Sequence, residues 1–233
     1  MGKIVKLPET YDRKPVELLV YRWGGKWGPF KVKIPCGECT LTTDVIQDTL
    51  ETELANAEVE FKTKDWLTHM LEASFKGARH APCVLINGKV VFQGGALNRG
   101  LLAELVMNEH VQHFPLEGTH LFGKENCKFC RQAKADLDHL GIAYTYQDVV
   151  KNPGAMYEML ARVKPIVGPK TPITMPQIWI DGSYVGGADA LREKYGLTDR
   201  TTEHVADTPS LRAAQAARRY WDVSSNPAAA SAR

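Results

Sequence analysis

The sequence has no apolar run long enough to cross a bilayer, and its first residues, Met1-Gly-Lys-Ile-Val-Lys-Leu-Pro8, carry no hydrophobic stretch of the kind that directs secretion. Position 6 is lysine instead of serine or threonine, so the motif for an amino-terminal myristoyl anchor is missing too. A cytoplasmic location is the expectation. Charge of one sign is also lacking. With 29 Lys and Arg against 27 Asp and Glu in 233 residues, the net charge is +2. That is too small for the broad field that draws nucleic acid or an anionic membrane, and neither is expected as a partner. Cysteine is scarce, five in all. In a reducing compartment such thiols serve catalysis or metal binding more than structural bridging.

What is present is a repeat. Cys36-Gly-Glu-Cys39 is followed by Pro82, Asn87-Gly88 and Gly94-Gly95, and Cys127-Lys-Phe-Cys130 by Pro176, Asp181-Gly182 and Gly186-Gly187 at nearly equal distances. A repeat of roughly 90 residues gives each copy enough chain for a core of its own. The expected organisation is an arm over residues 1–14, a domain over 15–112, a second over 116–197 and a tail over 198–233.

Each copy reads β-α-β-α-β-β-α. In the first, Val16–Tyr21 is a buried strand, residues 22–35 a loop rich in Gly and Pro, and Thr40–Leu54 a helix. Val59–Lys62 alternates as a strand. Asp65–Lys76 reads as a helix capped by Asp65, and Leu97–His110 as the closing helix. In the second, Thr119–Phe122 and Tyr144–Val149 are strands and Lys128–Leu140 a helix. Pro153–Val163 is a helix capped by Asn152, and Ala188–Tyr195 the last one. Asn87-Gly88 and Asp181-Gly182 supply the two positive-φ residues of a type I′ hairpin. An αβ crossover makes the first two strands parallel, and the hairpin adds an antiparallel edge. Beyond Leu197 a helix over Leu211–Trp221 precedes an expected flexible end.

Two cysteines three apart at the start of a helix lie within disulfide reach on one face, so the bond opens and closes with little backbone movement. Free N–H groups and the helix dipole favour a thiolate at the first cysteine. Lys124 and Lys128 flank Cys127, and Lys33 precedes Cys36, where Glu38 acts in the opposite sense. The second cysteine, one turn in, suits a resolving thiol. Pro82 after Ala81, and Pro176 after Met175, sit where a cis bond would present the preceding backbone to a bound thiol.

Lys124-Glu-Asn-Cys127-Lys-Phe-Cys130-Arg-Gln-Ala-Lys134, Thr174-Met-Pro-Gln-Ile-Trp-Ile-Asp-Gly182 and Gly186-Gly-Ala-Asp189 resemble a dithiol glutaredoxin over roughly residues 117–196. Residues 15–110 resemble the wider thioredoxin-like superfamily more loosely. They have Gly94-Gly-Ala-Leu97 in place of Gly-Gly-x-Asp, and no Thr-x-Pro. The resemblance implies tandem thioredoxin-like domains, each a four-stranded mixed sheet flanked by helices, with a flexible C-terminal tail. It implies a thiol–disulfide oxidoreductase with glutathione as co-substrate, acting on disulfide-bearing or glutathionylated proteins, with no metal. Cys127 would be the nucleophile and Cys130 the resolving thiol. Lys124, Phe129, Thr174, Met175, Pro176, Gly187 and Asp189 would hold glutathione, Lys124 by a carboxylate and Asp189 by the glutamyl ammonium. Cys36 and Cys39 would form a second redox centre.

Two other functions remain open at this level. Paired thiolates can hold an iron–sulfur cluster or a soft metal, and tandem modules also resemble two-domain disulfide oxidases and isomerases. Pro82 and Cys83 border the first pair. Cys83 reads as a small buried core residue, or alternatively as a third thiol facing Cys36. Tyr21, Trp23 and Trp27 are candidates for a groove above Cys36 or for loop packing. Arg131 and Lys134 read as a solvated helix face, and His110 and His113 as a polar helix end. Oligomeric state is not legible.

Overall fold

The structure, a computed structural model, describes residues 11–32, 35–95, 97–168 and 171–197. Lys33, the expected tail with its Leu211–Trp221 helix, and most of the expected arm lie outside the described residues. The N-terminal half comprises β1 (Val16–Arg22), β2 (Gly25–Trp27), β3 (Phe30–Val32), α1 (Gly37–Glu51), β4 (Val59–Asp65), α2 (Met70–Phe75), β5 (Cys83–Ile86), β6 (Lys89–Gln93) and α3 (Arg99–His113). The C-terminal half comprises β7 (His120–Gly123), α4 (Lys128–His139), β8 (Thr145–Asp148), α5 (Pro153–Val167), β9 (Gln177–Ile180), β10 (Ser183–Gly186) and α6 (Ala188–Tyr195).

The two four-stranded sheets are mixed and equivalent, in order β4-β1-β5-β6 and β10-β9-β7-β8. In each, the first strand is central, parallel to the strand after the crossover helix and antiparallel to the hairpin strand. Asn87 and Gly88 (φ 47° and 76°), like Asp181 and Gly182 (φ 48° and 74°), take the left-handed conformation that closes a tight hairpin. Alternation along β1 divides its side chains between two layers. Leu18 and Val20 pack with Ile46 of α1 and Val106 of α3. Leu19 and Tyr21 pack with Ala73 of α2 and with Ala78 and Cys83.

Three local expectations are corrected. Residues 22–35 are not wholly loop, because β2 and β3 pair as a short hairpin there. Asp65 ends β4 instead of capping a helix. It pairs with Arg22, and α2 starts only after His69, which makes no side-chain cap. Finally, α5 runs past Val163 and through Pro165 to Val167. Proline removes one helical hydrogen bond, but burial of Ala161 and Val163 carries the helix on.

Helix α5 is apolar on two sides. Ala155, Met159 and Val163 pack on Phe122 and Trp179 of its own half, while Ala161 and Tyr157 join the cluster of Val106, Met107 and Val111. The charged groups at this contact are paired. Arg162, 3% exposed, donates to Glu158 Oε1 at 2.9 Å and to the Phe114 carbonyl at 3.2 Å. Lys164 Nζ bonds Glu104 at 2.8 Å.

His110 is buried beside this contact. Its Nδ1 accepts the Glu58 N–H at 3.3 Å and its ring stacks on Phe114. Burial lowers its pKa below 6.5, opposed by the Glu158 and Glu58 carboxylates and reinforced by Arg162 and His113. The unfolded chain therefore binds this proton first as pH falls through 6.5, and stability declines there by at most about 1.4 kcal/mol per pH unit. Unfolding free energies from pH 7.5 to 5.5 are expected to show a steeper acid-side slope in the wild type than in His110→Asn. Equal slopes would remove His110 as the cause.

Candidate active site

Cys36 and Cys127 are the residues that begin α1 and α4. Both have extended backbone (φ −121°, ψ 97° and φ −125°, ψ 118°), and both accept a helix N–H on sulfur. Cys39 N–H reaches Cys36 Sγ, and Cys130 N–H reaches Cys127 Sγ, each at 3.2 Å. Each first sulfur thus satisfies one of the free donors at a helix start. Cys36 and Cys39 are joined in a disulfide with Cα atoms 5.2 Å apart, and Cys127 and Cys130 are thiols.

In both halves the second cysteine is the deeper one. Cys39 is buried while Cys36 is half-buried; Cys130 is buried to 1% exposure and Cys127 to 7%. Burial, then the hydrogen bond with the Cys127 sulfur, pushes Cys130 up to about 11, while the Lys124 backbone N–H and charge act in the other direction. In the N-terminal half the Trp23 N–H occupies the matching place, 3.4 Å from Cys39 Sγ.

Opposite Cys127 stands the Met175–Pro176 peptide, which is cis, as is Ala81–Pro82. The Cys127 thiol donates to the Met175 carbonyl at 3.9 Å. Gly187 borders the same loop, since a Cβ there would lie 3.6 Å from the Pro176 carbonyl. Thr174, Lys124, Phe129 and Asp189 are exposed. Asp189 lies in the first turn of α6. Lys124 lines a shallow cleft with Glu125, Asn126, Asp148, Val150 and Lys151.

Supporting residues not singled out from the sequence hold this loop. Gln177, buried at the start of β9, donates to the Thr174 carbonyl at 2.6 Å and accepts from Tyr184 Oη at 2.6 Å. Tyr184 in turn packs on Trp179. A buried Gln directly after the loop proline was the available signal. Gly123 is the other. A Cβ at this position would lie 3.1 Å from Cys130 Sγ, 3.2 Å from Leu121 and 3.3 Å from Tyr146.

Other candidates fall elsewhere. Cys83 is fully buried on the α2 side of the sheet, opposite α1, and burial pushes it up to about 11. It does not face Cys36. Tyr21 is fully buried and lines no groove. Lys134, half-buried on the face expected to be solvated, rests its Nζ 3.1 Å from the centre of the Tyr146 ring. Among the described residues no group of three or more His, Cys, Asp or Glu is placed to hold a metal ion, and no helix is long and apolar enough to cross a membrane.

Paired thiols at a helix start, facing a cis-proline loop on a four-stranded mixed sheet, define a thiol–disulfide oxidoreductase of the thioredoxin fold. Comparison with known proteins specifies the family. The glutaredoxin family model matches residues 120–185. Glutaredoxin 1 of Rickettsia conorii is 37% identical over 87 residues, covering 36% of this chain and 80% of that protein. Glutaredoxin 3 of Escherichia coli K12 is 30% identical over 76 residues, covering 33% and 83%. A solution structure of glutaredoxin from Brucella melitensis shares 28% identity over 36% of this chain and 85% of that one, with a TM-score of 0.28. The chain belongs to the glutaredoxin family through its C-terminal half.

The Gly123 contact yields a stability test. Gly123→Ala is expected to lower the unfolding free energy by about 1–3 kcal/mol through overpacking against Cys130. Chemical denaturation at fixed reductant measures it, and an unchanged midpoint would mean that Cys130 and Tyr146 yield freely.

Proposed function

We propose that the protein is a glutathione-linked reductase of protein disulfides and glutathione mixed disulfides, acting through Cys127 and Cys130, with Cys36 and Cys39 as a second redox centre. The observation that carries this reading is the Cys127 sulfur. It sits at the α4 N-terminus, bonded by the Cys130 N–H and facing the Met175 carbonyl. In the reaction, the Cys127 thiolate attacks the glutathionyl sulfur of a mixed disulfide and the protein thiolate leaves and takes up a proton. A second glutathione thiolate then attacks the glutathionyl sulfur, forming glutathione disulfide as Cys127 leaves as a thiolate; alternatively the Cys130 thiolate attacks Cys127 Sγ, closing the 127–130 disulfide as glutathione leaves. Met175 would pair its backbone with the tripeptide, Gly187 admits the backbone close to Pro176, and Lys124 and Asp189 would meet its carboxylate and ammonium. Phe129, Thr174 and Pro176 supply the remaining walls. The setting proposed is a reducing, cytoplasmic one.

Cys127→Ser is expected to abolish glutathione-dependent reduction of a small mixed disulfide. Cys130→Ser should keep that activity and lose reduction of protein disulfides. Retained turnover in Cys127→Ser would eliminate the assignment. Because Cys130 is pushed up to about 11, its thiolate is the minor form at neutral pH. Closure of the 127–130 disulfide should therefore accelerate as pH rises from 6 to 9, by up to about tenfold per unit. Rapid-quench alkylation measures that step, and a pH-independent rate would contradict a resolving role for Cys130.

A further inference from the structure

Strand register aligns the two halves residue by residue. Tyr21 faces Cys83 as Phe122 faces Gln177, and Arg22 faces Asp65 as Gly123 faces Asp148. Trp23 therefore matches Lys124, each following the end of its strand. From Lys124 the C-terminal half reaches Cys127 after only Glu125 and Asn126. The N-terminal half places residues 24–35 in between, and these include the β2–β3 hairpin.

This insertion is fastened to the body. Trp66 N–H donates to the Arg22 carbonyl at 2.8 Å, Leu67 N–H to the Gly24 carbonyl at 3.0 Å, and Lys26 N–H to Thr68 Oγ1 at 2.9 Å. Gly25, at φ 117°, presses so closely on Thr68 that no side chain fits there. The Trp23 ring lies on Trp66, centroids 5.6 Å apart. Among the described residues, its outer side chains are exposed. Cross-strand neighbours Trp27 and Phe30 are 53% and 70% exposed, and Trp23 is 38% exposed.

On the reading of Cys36 and Cys39 as a redox centre, we infer that this hairpin is the docking platform for a polypeptide whose cysteine, flanked by apolar side chains, exchanges with Cys36. Two observations select that occupant. The charged pair offered to a small zwitterionic tripeptide in the C-terminal half, Lys124 and Asp189, is replaced here by Trp23 and Leu97, the residues at the matching places. The exposed surface of Trp23, Trp27 and Phe30 is about 240–400 Å², taking about 150–250 Å² per aromatic side chain. A stable dimer needs about 800 Å² per partner, so the patch suits a short segment in transient contact and not a second copy of the chain. In the exchange, the partner thiolate attacks Cys36 Sγ. The Cys36–partner bond forms as the Cys36–Cys39 bond breaks, and Cys39 leaves as a thiolate that takes up a proton. A second partner thiolate then attacks the partner sulfur of the mixed disulfide, closing a partner disulfide as Cys36 leaves as a thiolate and takes up a proton, so the partner is oxidised by two electrons and Cys36 and Cys39 are left as thiols.

The test uses the full chain carrying Cys127→Ser and Cys130→Ser, with opening of the 36–39 disulfide followed by quenched alkylation and mass spectrometry. Three thiol probes are compared: a peptide with Trp and Leu beside its cysteine, a peptide with Ser and Gln there, and glutathione. The apolar peptide is expected to react about tenfold faster than the other two, and Trp27→Ala with Phe30→Ala to erase that preference while leaving the glutathione rate unchanged. Phe30→Ala alone, at the most exposed position, guards against misfolding of the double variant and should give a partial loss. A preference that survives both variants, or an equal slowing with all three probes, overturns the docking site. So does a dimer in sedimentation that depends on Trp27 and Phe30. Failure of every thiol to open the disulfide would instead sink the second-centre reading on which the inference rests.

Discussion

The hydrogen bond from the second cysteine's N–H to the first cysteine's sulfur, made at the start of a helix, is the contact on which the geometry of both cysteine pairs depends. It ties a reactive sulfur to a free backbone donor that would otherwise need water or a polar cap. The helix behind it cannot drift. Ile46 anchors α1 and Ala133 with Leu137 anchors α4, all fully buried against their sheets. The sulfur is therefore positioned by the core, and the proline loop across from it is held by a neighbouring strand of the same sheet. In the C-terminal half the loop has its own brace, running from Thr174 through Gln177 and Tyr184 to Trp179 and Phe122. A side chain far from sulfur thus governs the carbonyl that sulfur meets.

Helix α5 extends the same logic to the whole body. It is the outer layer of the C-terminal sheet and also part of the N-terminal core, so a single helix is buried on two faces. A helix with only one stripe to bury leaves room for charge on the other side. Here the charge that remains is matched in place, with Arg162 held by Glu158 and a backbone carbonyl. Removing either partner leaves a charge with little access to water. The same crowding accounts for His110, whose pKa burial lowers at the edge of the contact.

Much of this frame was legible in the residues because backbone geometry demands particular side chains. Positive φ at Asn87, Gly88, Asp181 and Gly182 announces both hairpins, and Asn152 before Pro153 announces α5. The strand–helix alternation then leaves little topological freedom. What escaped was decided by tertiary packing. Gly24, Gly25, Gly28 and Pro29 look like loop, yet the close approach of Gly25 to Thr68 makes them a docked hairpin. Pro165 looks like a helix end, yet contacts on two faces carry the helix past it. Tyr21 and Cys83 sit near redox landmarks in sequence, but strand alternation turns both to the α2 side. The Tyr146 ring beneath the half-buried Lys134 comes from a neighbouring strand, so that contact too was outside what the helix pattern could show.

The two halves share a backbone frame and differ in the side chains set around it. Both keep the features the backbone requires: the Cys-x-x-Cys at a helix start, the cis-proline, the tight hairpin and the paired glycines. The residues around the sulfurs are free of that constraint and have diverged, with Lys124 and Asp189 in one half and Trp23 and Leu97 in the other. The match to the glutaredoxin family at residues 120–185 falls on the half whose surrounding residues are charged. Thiol–disulfide exchange needs an accessible sulfur, a neighbour to resolve it and a route for the proton, and none of these fixes the side chains around the sulfur. The surroundings are what differ: exposed Lys124 and Asp189 in one half, and a fastened hairpin with exposed Trp27 and Phe30 in the other.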